Sequence, residues 1–453
     1  MAGGKWESQN KVLNGAYVNV ETDTLVAAGI NSRGRVAIPV EASWGEPLSK
    51  VKVTPLTDFK AVFGKELKDM PYLREALKGN GGITAFILNG KDGEKAKSTA
   101  EADLKVMARF PGAAGNGLTV SKTFLVGDED ETLIEINEYH DGLLISTGVH
   151  EVESDEEGEL KPLKINGAAT EIEVTFTAQV DETVTLSGGT DGAITNASWT
   201  AFLEMIDGEN VKAFTAYPED DTVKDIVAAQ VKVWRDGKGK KLVVAMADYA
   251  QADYEGVISI INGVTLSGDI YVTPEQAASW YAAAYANAGP DSLTAKEYPG
   301  AIDCDRMPDE DLILEKLKGN VTFIYEEGAD GLDKIIVESD INTLTSFTPK
   351  KNRDFSKGKI LRAMDHLDIN IQHIWNRYFK GKIANTAERR ELFKAQLLSA
   401  VIEPMERMEM FEEPVLPDDI IMSRGHEKDA VVADVYVKFA DAAEKLYVTV
   451  HAG

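Results

Sequence analysis

Two patterns of apolar and polar positions alternate along the chain, and the switches between them divide it. From "GRVAIPV" (34 to 40) through "TPLTDFKAVFG" and "YLREALKGNGG" to "ITAFILNG" (83 to 90), an apolar run, two segments of helical spacing and a second run predict strand, helix, helix, strand. That order is α/β grammar. At "ARFPGAAGNGLTV" (108 to 120) the helical spacing stops, and period-two runs follow: "TLIEINEYH", "GLLISTGV", "EIEVTFTAQV" and "TVTLSGG". Separated by Gly and acidic turns, they predict an antiparallel β-sandwich or small barrel over residues 106 to 188. The α/β pattern resumes over 198 to 248, so the β segment is an insertion within an α/β domain with a parallel sheet. The segment "TPEQAASWYAAAYANAG" (273 to 289) then carries a Thr N-cap, Pro at the first helical position and a closing Gly.

The last part mixes both patterns. Ile360, Met364, Leu367, Ile371, Ile374 and Tyr378 recur at spacings of four and three, predicting a core-facing helix over 360 to 378. A second helix is predicted from Asn385, with Glu388 in capping-box spacing and an interruption near Pro404. The chain closes on "KLYVTVHAG", where Leu446, Val448 and Val450 alternate with Tyr447, Thr449 and His451 as in a half-buried strand. A strand at the very end of a chain has two rows of backbone donors and acceptors that need partners. "GAYVNV", with Tyr17, Val18 and Val20, is a similar lone strand near the start, and both segments read as extended arms. The predicted organisation is an arm over 1–20, a discontinuous α/β domain over 21–105 and 189–335, the inserted β domain over 106–188, a C-terminal α+β domain over 336–443 and a strand arm over 444–453.

With 453 residues, 43% of them hydrophobic and 27% charged, the chain is long enough for several folded domains. No apolar run reaches the roughly 18 residues needed to span a bilayer, and "MAGGKWESQN" lacks the features of a signal peptide, so synthesis and retention in the cytoplasm are expected. Cys304 is the only cysteine, which excludes an intrachain disulfide. A formal charge of -27 argues against nucleic-acid binding and for mutual repulsion of copies made in number. The loop "EVESDEEGEL" is expected to be a solvated surface rather than a calcium site.

A search for chemistry finds no catalytic, cofactor or metal set. "GAAGNGLT" has neither the ending nor the strand and helix context of a phosphate loop. The turn after "VKAFTAY", where a nucleotide would meet a helix N-terminus, carries Glu219, Asp220 and Asp221, which would repel phosphate. The six histidines are scattered, and Asp365 and Asp368 read as surface salt-bridge partners of the basic stretch before them. Cys304 reads as a buried filler. A cytosolic α/β enzyme or small-molecule-binding protein with a β insertion is the alternative reading.

Several stretches together resemble contractile tail sheath proteins of bacteriophages and of R-type, tail-like bacteriocins. They are "QNKVLNGAYVNV", "GRVAIPVEASWGEP", "RFPGAAGNGLTV", "LSGGTDGAIT", "VTPEQAASWYAAAYANA", "ESDINTLTSFTPKKNRDF", "RYFKGKIANTAERRELF" and "AAEKLYVTV", in the family's order over nearly the whole chain. The resemblance implies a homo-oligomer of stacked hexameric rings in a helical sheath around an inner tail tube. It also implies baseplate and tail terminator partners, no cofactor, no nucleic acid and no direct membrane insertion. Assembly would take place in the host bacterial cytoplasm, and contraction would drive the tube through a cell envelope. It further implies that Tyr17, Val18 and Val20, and Leu446, Tyr447, Val448, Thr449 and Val450, add strands to neighbouring subunits. The expected recipient edge is "DAVVADVYVKF", with Val431, Val435 and Val437. Because the C-terminal domain of similar proteins lies innermost, Lys350, Lys351, Arg389, Arg390 and Lys394 are expected to face the tube.

Overall fold

The computed structural model describes residues 34–79, 81–99, 103–126, 131–328 and 333–451. They fall into two compact units. One takes in Gly34–Ile38, Tyr72–Thr84 and the residues from Ile206 onward; the other takes in Pro39–Pro71 and Ala85–Met205.

The first unit is built on parallel strands in the order Asn320–Val321, Val257–Ile260, Val243–Ala247, Ala213–Thr215 and Arg35–Val40. In the second unit lies the short strand Lys50–Val53, which the sequence reading passed over because its apolar residues alternate with Lys50 and Lys52. Val243–Ala247 and Val257–Ile260 are buried at every position, as strands of a covered parallel sheet are. Helix Pro274–Asn287 packs on this sheet, and its Ala-rich face lets backbone approach backbone. The predicted Thr273 N-cap is present and is extended into a capping box, with Thr273 and Gln276 satisfying each other's backbone N–H groups. In the turn read as hostile to phosphate, the Asp220 carboxylate accepts from the Thr222 N–H and caps helix Asp221–Lys232. Cys304 is buried, and burial pushes its thiol up to about 11.

The second unit holds an eight-stranded antiparallel sheet ordered Leu143–Val152, Thr132–His140, Leu118–Val126, Glu182–Ser187, Lys97–Ser98, Leu104–Ala108, Thr170–Val174, Leu163–Asn166. It starts before residue 106, with Lys97–Ser98 as its earliest strand, because Leu104, Val106 and Ala108 already supply alternating buried positions. One cluster that includes Leu104, Val120, Ile134, Ile172 and Val184 fills the curl of this nearly closed sheet. The Gly-rich stretch serves packing. A Cβ at Gly112 would lie 2.1 Å from the Ser43 carbonyl oxygen, at a φ of +134° that suits only glycine.

The C-terminal part belongs to the first unit and is α+β. Helix Gly358–Ile374 presents Ile360, Met364, Leu367 and Ile374 to the core as predicted, but Tyr378 is exposed. The helix ends in a wider turn in which the Lys380 N–H donates to the Trp375 carbonyl five residues back, and this shifts the last position off the stripe. The next helix, Ala387–Leu397, is capped by Thr386, whose hydroxyl accepts from the Arg389 N–H; the predicted cap Asn385 instead donates to the Lys428 and Ala430 carbonyls. A further wide turn at Leu398–Ile402 and a short helix Glu403–Glu406 containing Pro404 lead to a hairpin of Ile420–Arg424 and Val431–Val435. Among the described residues no helix is long and apolar enough to cross a membrane.

Asp365 and Asp368 do form ion pairs, but with distant and buried partners. Arg235 grips Asp365 with two bonds of 2.7 and 2.8 Å, and Lys241 meets Asp368 at 2.5 Å. Facing them on the same helix, Arg362 donates to Asp340 at 2.7 Å, and the Tyr281 hydroxyl donates to the other Asp340 oxygen at 2.9 Å. Gly358 opens this helix because a Cβ there would lie 1.9 Å from the Asp340 carboxylate. These pairs bolt the helix to the sheet. Asp365→Ala is expected to cost about 3–5 kcal/mol in urea unfolding by stranding the Arg235 guanidinium, whereas an Arg235→Met, Asp365→Leu pair should cost far less. Equal losses for the two variants would contradict this account.

Candidate assembly interface

The hairpin has two open edges. Its register places Ile420 opposite Val435, Met422 opposite Ala433 and Arg424 opposite Val431. The Tyr436 N–H donates to the Asp419 carbonyl at 2.9 Å, and the Gly425 N–H to the Ala430 carbonyl at 2.8 Å. Bonded pairs alternate along an antiparallel ladder, so the backbone groups of Val431, Ala433 and Val435 point out of one edge and those of Ile420, Met422 and Arg424 out of the other. No further strand of the described residues joins either side. Such an edge is a template for another strand.

The hairpin's inner side chains, by contrast, are engaged. Ile420 and Val437 are buried with Phe379, Phe393, Leu397 and Met405, and Met422 and Val435 pack on the same core. Of the three residues expected to form a recipient edge, Val431 and Val435 lie on the strand with outward backbone groups, while Val437 lies beyond its end and serves as a core residue.

Past the bridge between Phe411 and Phe439 the chain leaves the domain, held at its root by a clasp. Lys357 Nζ lies 2.5 Å from one Glu444 oxygen and 3.2 Å from Asp441. The Thr294 hydroxyl donates to the other Glu444 oxygen at 2.9 Å and accepts from the Asp340 N–H at 2.9 Å, which ties the clasp to the buried Asp340–Arg362 pair. Burial alone would raise the Glu444 carboxyl, but Lys357 and Thr294 outweigh it and hold the group below the usual glutamate range. Beyond the clasp, Leu446, Tyr447, Val448 and Val450 are 87, 88, 68 and 83% exposed, and Thr449 is exposed as well. Among the described residues no hydrogen bond reaches the backbone of Leu446–Val450. Tyr17, Val18 and Val20 lie outside the described residues.

The five cations expected to face a tube do not share one environment. Lys351 is committed to the buried Glu255 at 2.6 Å. Arg389 and Arg390 line a cavity of about 310 Å³ beside the hairpin turn, together with Trp375, Phe379, Phe393 and Val431. Lys350 is exposed and Lys394 half-buried.

Models of three tail sheath regions match the chain: the phage tail sheath protein central domain over residues 192–343, the phage tail sheath C-terminal domain over 350–453, and the tail sheath protein Gp18 domain III N-terminal region over 33–84. The phage-like element PBSX protein XkdK of Bacillus subtilis is 30% identical, over 99% of this chain and 99% of its own length. The chain belongs to the phage tail sheath family. Solved structures agree. The sheath tail protein of Desulfitobacterium hafniense matches with a TM-score of 0.78 at 29% identity, over 96% of this chain and 99% of that one. The sheath tail protein of Listeria innocua matches with 0.77 at 27%, over 93% and 96%.

In this tail sheath protein the open hairpin edges and the exposed Leu446–Val450 lie in the same C-terminal part. The sequence reading missed the strand Ile420–Arg424 and the clasp. "DDIIMSRGHEKDAVVADV" does carry a hairpin signal, two β-branched runs around a polar Gly-containing turn. The clasp has no local signal, because Lys357 and Glu444 meet across 87 residues of chain.

Glu444→Gln is expected to raise hydrogen exchange over residues 441–446 about tenfold at neutral pH, since it removes a charge-assisted bond. A carboxyl with a lowered folded value stabilises fully above its unfolded value and loses that contribution as pH falls through the folded one. In the wild type, opening corrected for intrinsic exchange should therefore rise on acidification below the usual glutamate range. The variant should lack that rise; an identical profile would remove the clasp.

Proposed function

We propose that this tail sheath protein builds a cylinder of stacked hexameric rings around an inner tail tube by exchanging its terminal strands with neighbours. Held between a baseplate and a tail terminator, the cylinder contracts to drive the tube through a cell envelope. The observation that carries the reading is the pairing of an unbonded apolar arm with a hairpin that has two open edges in the same chain. Two arms and two edges give each subunit as many acceptors as donors. Backbone bonding across such a junction joins copies with little dependence on side-chain identity.

Magnitudes suggest why joining is conditional. Burying Leu446, Val448 and Val450 would contribute about 2 kcal/mol each. A few backbone bonds add about 1 kcal/mol apiece. Ordering some six residues costs roughly 1–2 kcal/mol each, which nearly cancels both. A lone arm is close to break-even. Rings and stacks succeed because many junctions form together on a tube already in place, while the charge of -27 opposes stray association. Raising salt weakens that repulsion and should promote polymerisation.

For the tube-facing surface we propose Lys350 and Lys394, of which the first is exposed and the second half-buried. Charge reversal at Lys350 and Lys394 is expected to abolish decoration of tubes while leaving self-polymerisation intact; unchanged decoration in electron micrographs would reject that surface. Deletion of Lys445–Gly453, which retains Glu444 and its clasp, tests the arm itself. Long tubular polymers should disappear from micrographs of the concentrated protein while its thermal unfolding stays the same. Normal tubes from the truncated chain would sink strand exchange.

A further inference from the structure

Two helices of the first unit turn apolar side chains outward. Helix Asp309–Leu317 buries no residue. Its Glu310, Ile313, Leu314 and Leu317 fall at i, i+3, i+4 and i+7, which puts them on one face, and the three apolar members are each more than half exposed. The opposite side is held by polar contacts: Lys316 meets Glu338 at 2.8 Å, and Glu315 accepts from the Asn320 amide at 2.5 Å. A surface helix ordinarily buries its apolar stripe and exposes its charges, so this one is inside out. Helix Asp221–Lys232 carries a similar feature. It buries Val223, Val227 and Val231, while Thr222, Ile226, Ala229 and, at the C-cap, Val233 form a second stripe in which every member is exposed.

The two stripes match in length and complement each other in charge. From Ile226 to Val233 and from Glu310 to Leu317 the helical rise is the same, about 10.5 Å. Asp309, Glu310 and Asp311 crowd the first turn of one helix and Lys318 follows its end, while the other begins on Asp220 and Asp221 and ends on Lys232. Laid antiparallel, the acids of the first reach the Lys232 end of the second, and Lys318 reaches the Asp221 end; laid parallel, acids would face acids. Among the described residues Asp309 and Glu310 form no ion pair, and neither does Lys232, whose ammonium lies 5.7 Å over the Tyr254 ring. Ala229, the small residue within its stripe, leaves room for a second helix to come close.

We propose that helix Asp309–Leu317 of one copy packs antiparallel on helix Asp221–Lys232 of a second copy, with Leu317 against Ile226, Ile313 and Leu314 against Ala229 and Val233, and Glu310 beside Lys232. The two patches differ, so the contact is heterologous and repeats from copy to copy into a ring or a filament instead of closing a pair. A single helix-on-helix patch falls short of the roughly 1,200 Å² that a stable pair of proteins buries, so it consolidates a polymer and does not by itself join free chains. The inference rests on the cylinder reading only for the copies being held side by side, and it uses neither the terminal arms nor the hairpin.

The test uses the full chain with the buried Cys304 in place, polymerised from concentrated solution and treated with a short bismaleimide. Ile226→Cys with Leu317→Cys should give a ladder of linked subunits. Val233→Cys with Leu317→Cys, which the antiparallel order holds apart, should not, and neither should any single variant. A ladder from the second pair, or none from the first in polymers that form, overturns the contact and leaves the cylinder standing. Independently, Lys232→Glu should cut the sedimenting polymer about tenfold, and adding Glu310→Lys should restore most of it, with thermal unfolding unchanged in both. An undiminished polymer, or a loss without rescue, also counts against the proposal. If the unaltered chain forms no polymer, the cylinder reading itself fails, and this contact falls with it.

Discussion

The buried pair of Asp340 and Arg362 is the contact on which the rest of this sheath protein depends. Asp340 is 2% exposed, and its carboxylate gathers the Arg362 guanidinium, the Tyr281 hydroxyl and the Leu293 N–H. Those partners come from the C-terminal helix, the helix on the parallel sheet and the loop after it. A buried carboxylate is tolerated only when bonded this completely, so geometry around it has little freedom. Its own backbone continues the order outward: the Asp340 N–H donates to Thr294, and Thr294 donates to Glu444. The place where the arm leaves the domain is thus set from the core.

That wiring separates stiff parts from adaptable ones. Arg235 with Asp365, Lys241 with Asp368 and Arg362 with Asp340 all connect helix Gly358–Ile374 to the sheet region of the same unit. The hairpin adds packed side chains on its inner face and leaves only backbone groups unused at its rims. The arm is the reverse case, with apolar side chains and backbone both unsatisfied. Backbone pairing is therefore missing from both places and hydrophobic burial from the arm, and the strand addition proposed above would supply both.

How much of this was legible in sequence depended on whether the cause was local. The α/β runs, the antiparallel β insertion and the Thr273 N-cap are written in short-range pattern, and the structure shows each, although the β sheet begins at Lys97 rather than at 106. Lys50–Val53 was missed because lysines on its outer face broke the apolar run. Tyr378 was misjudged because a wide turn changes the helical period, which no residue type announces. Asp365 and Asp368 were read as surface charges, because only the fold brings Arg235 and Lys241 to them. The same holds for the cavity, whose lining joins positions 375 and 431.

The difference in energy scale between these parts bears on how such a polymer can rearrange without coming apart. Breaking one of the buried ion pairs strands a charge and costs about 3–5 kcal/mol, so a change of ring geometry that required it would be slow. An arm junction sits near balance between burial and ordering, and its backbone bonds tolerate twist and bending that a packed core does not. On the proposed reading, any large movement of subunits would be taken up at the segment just beyond Glu444, where no described contact holds the chain. The clasp limits that freedom to the far side of one residue. If the proposed strand exchange holds, a linkage fixed at its root and loose beyond it would reorient between neighbours while staying bonded to both, which is the mechanical property a contracting sheath would need from the connections between its subunits.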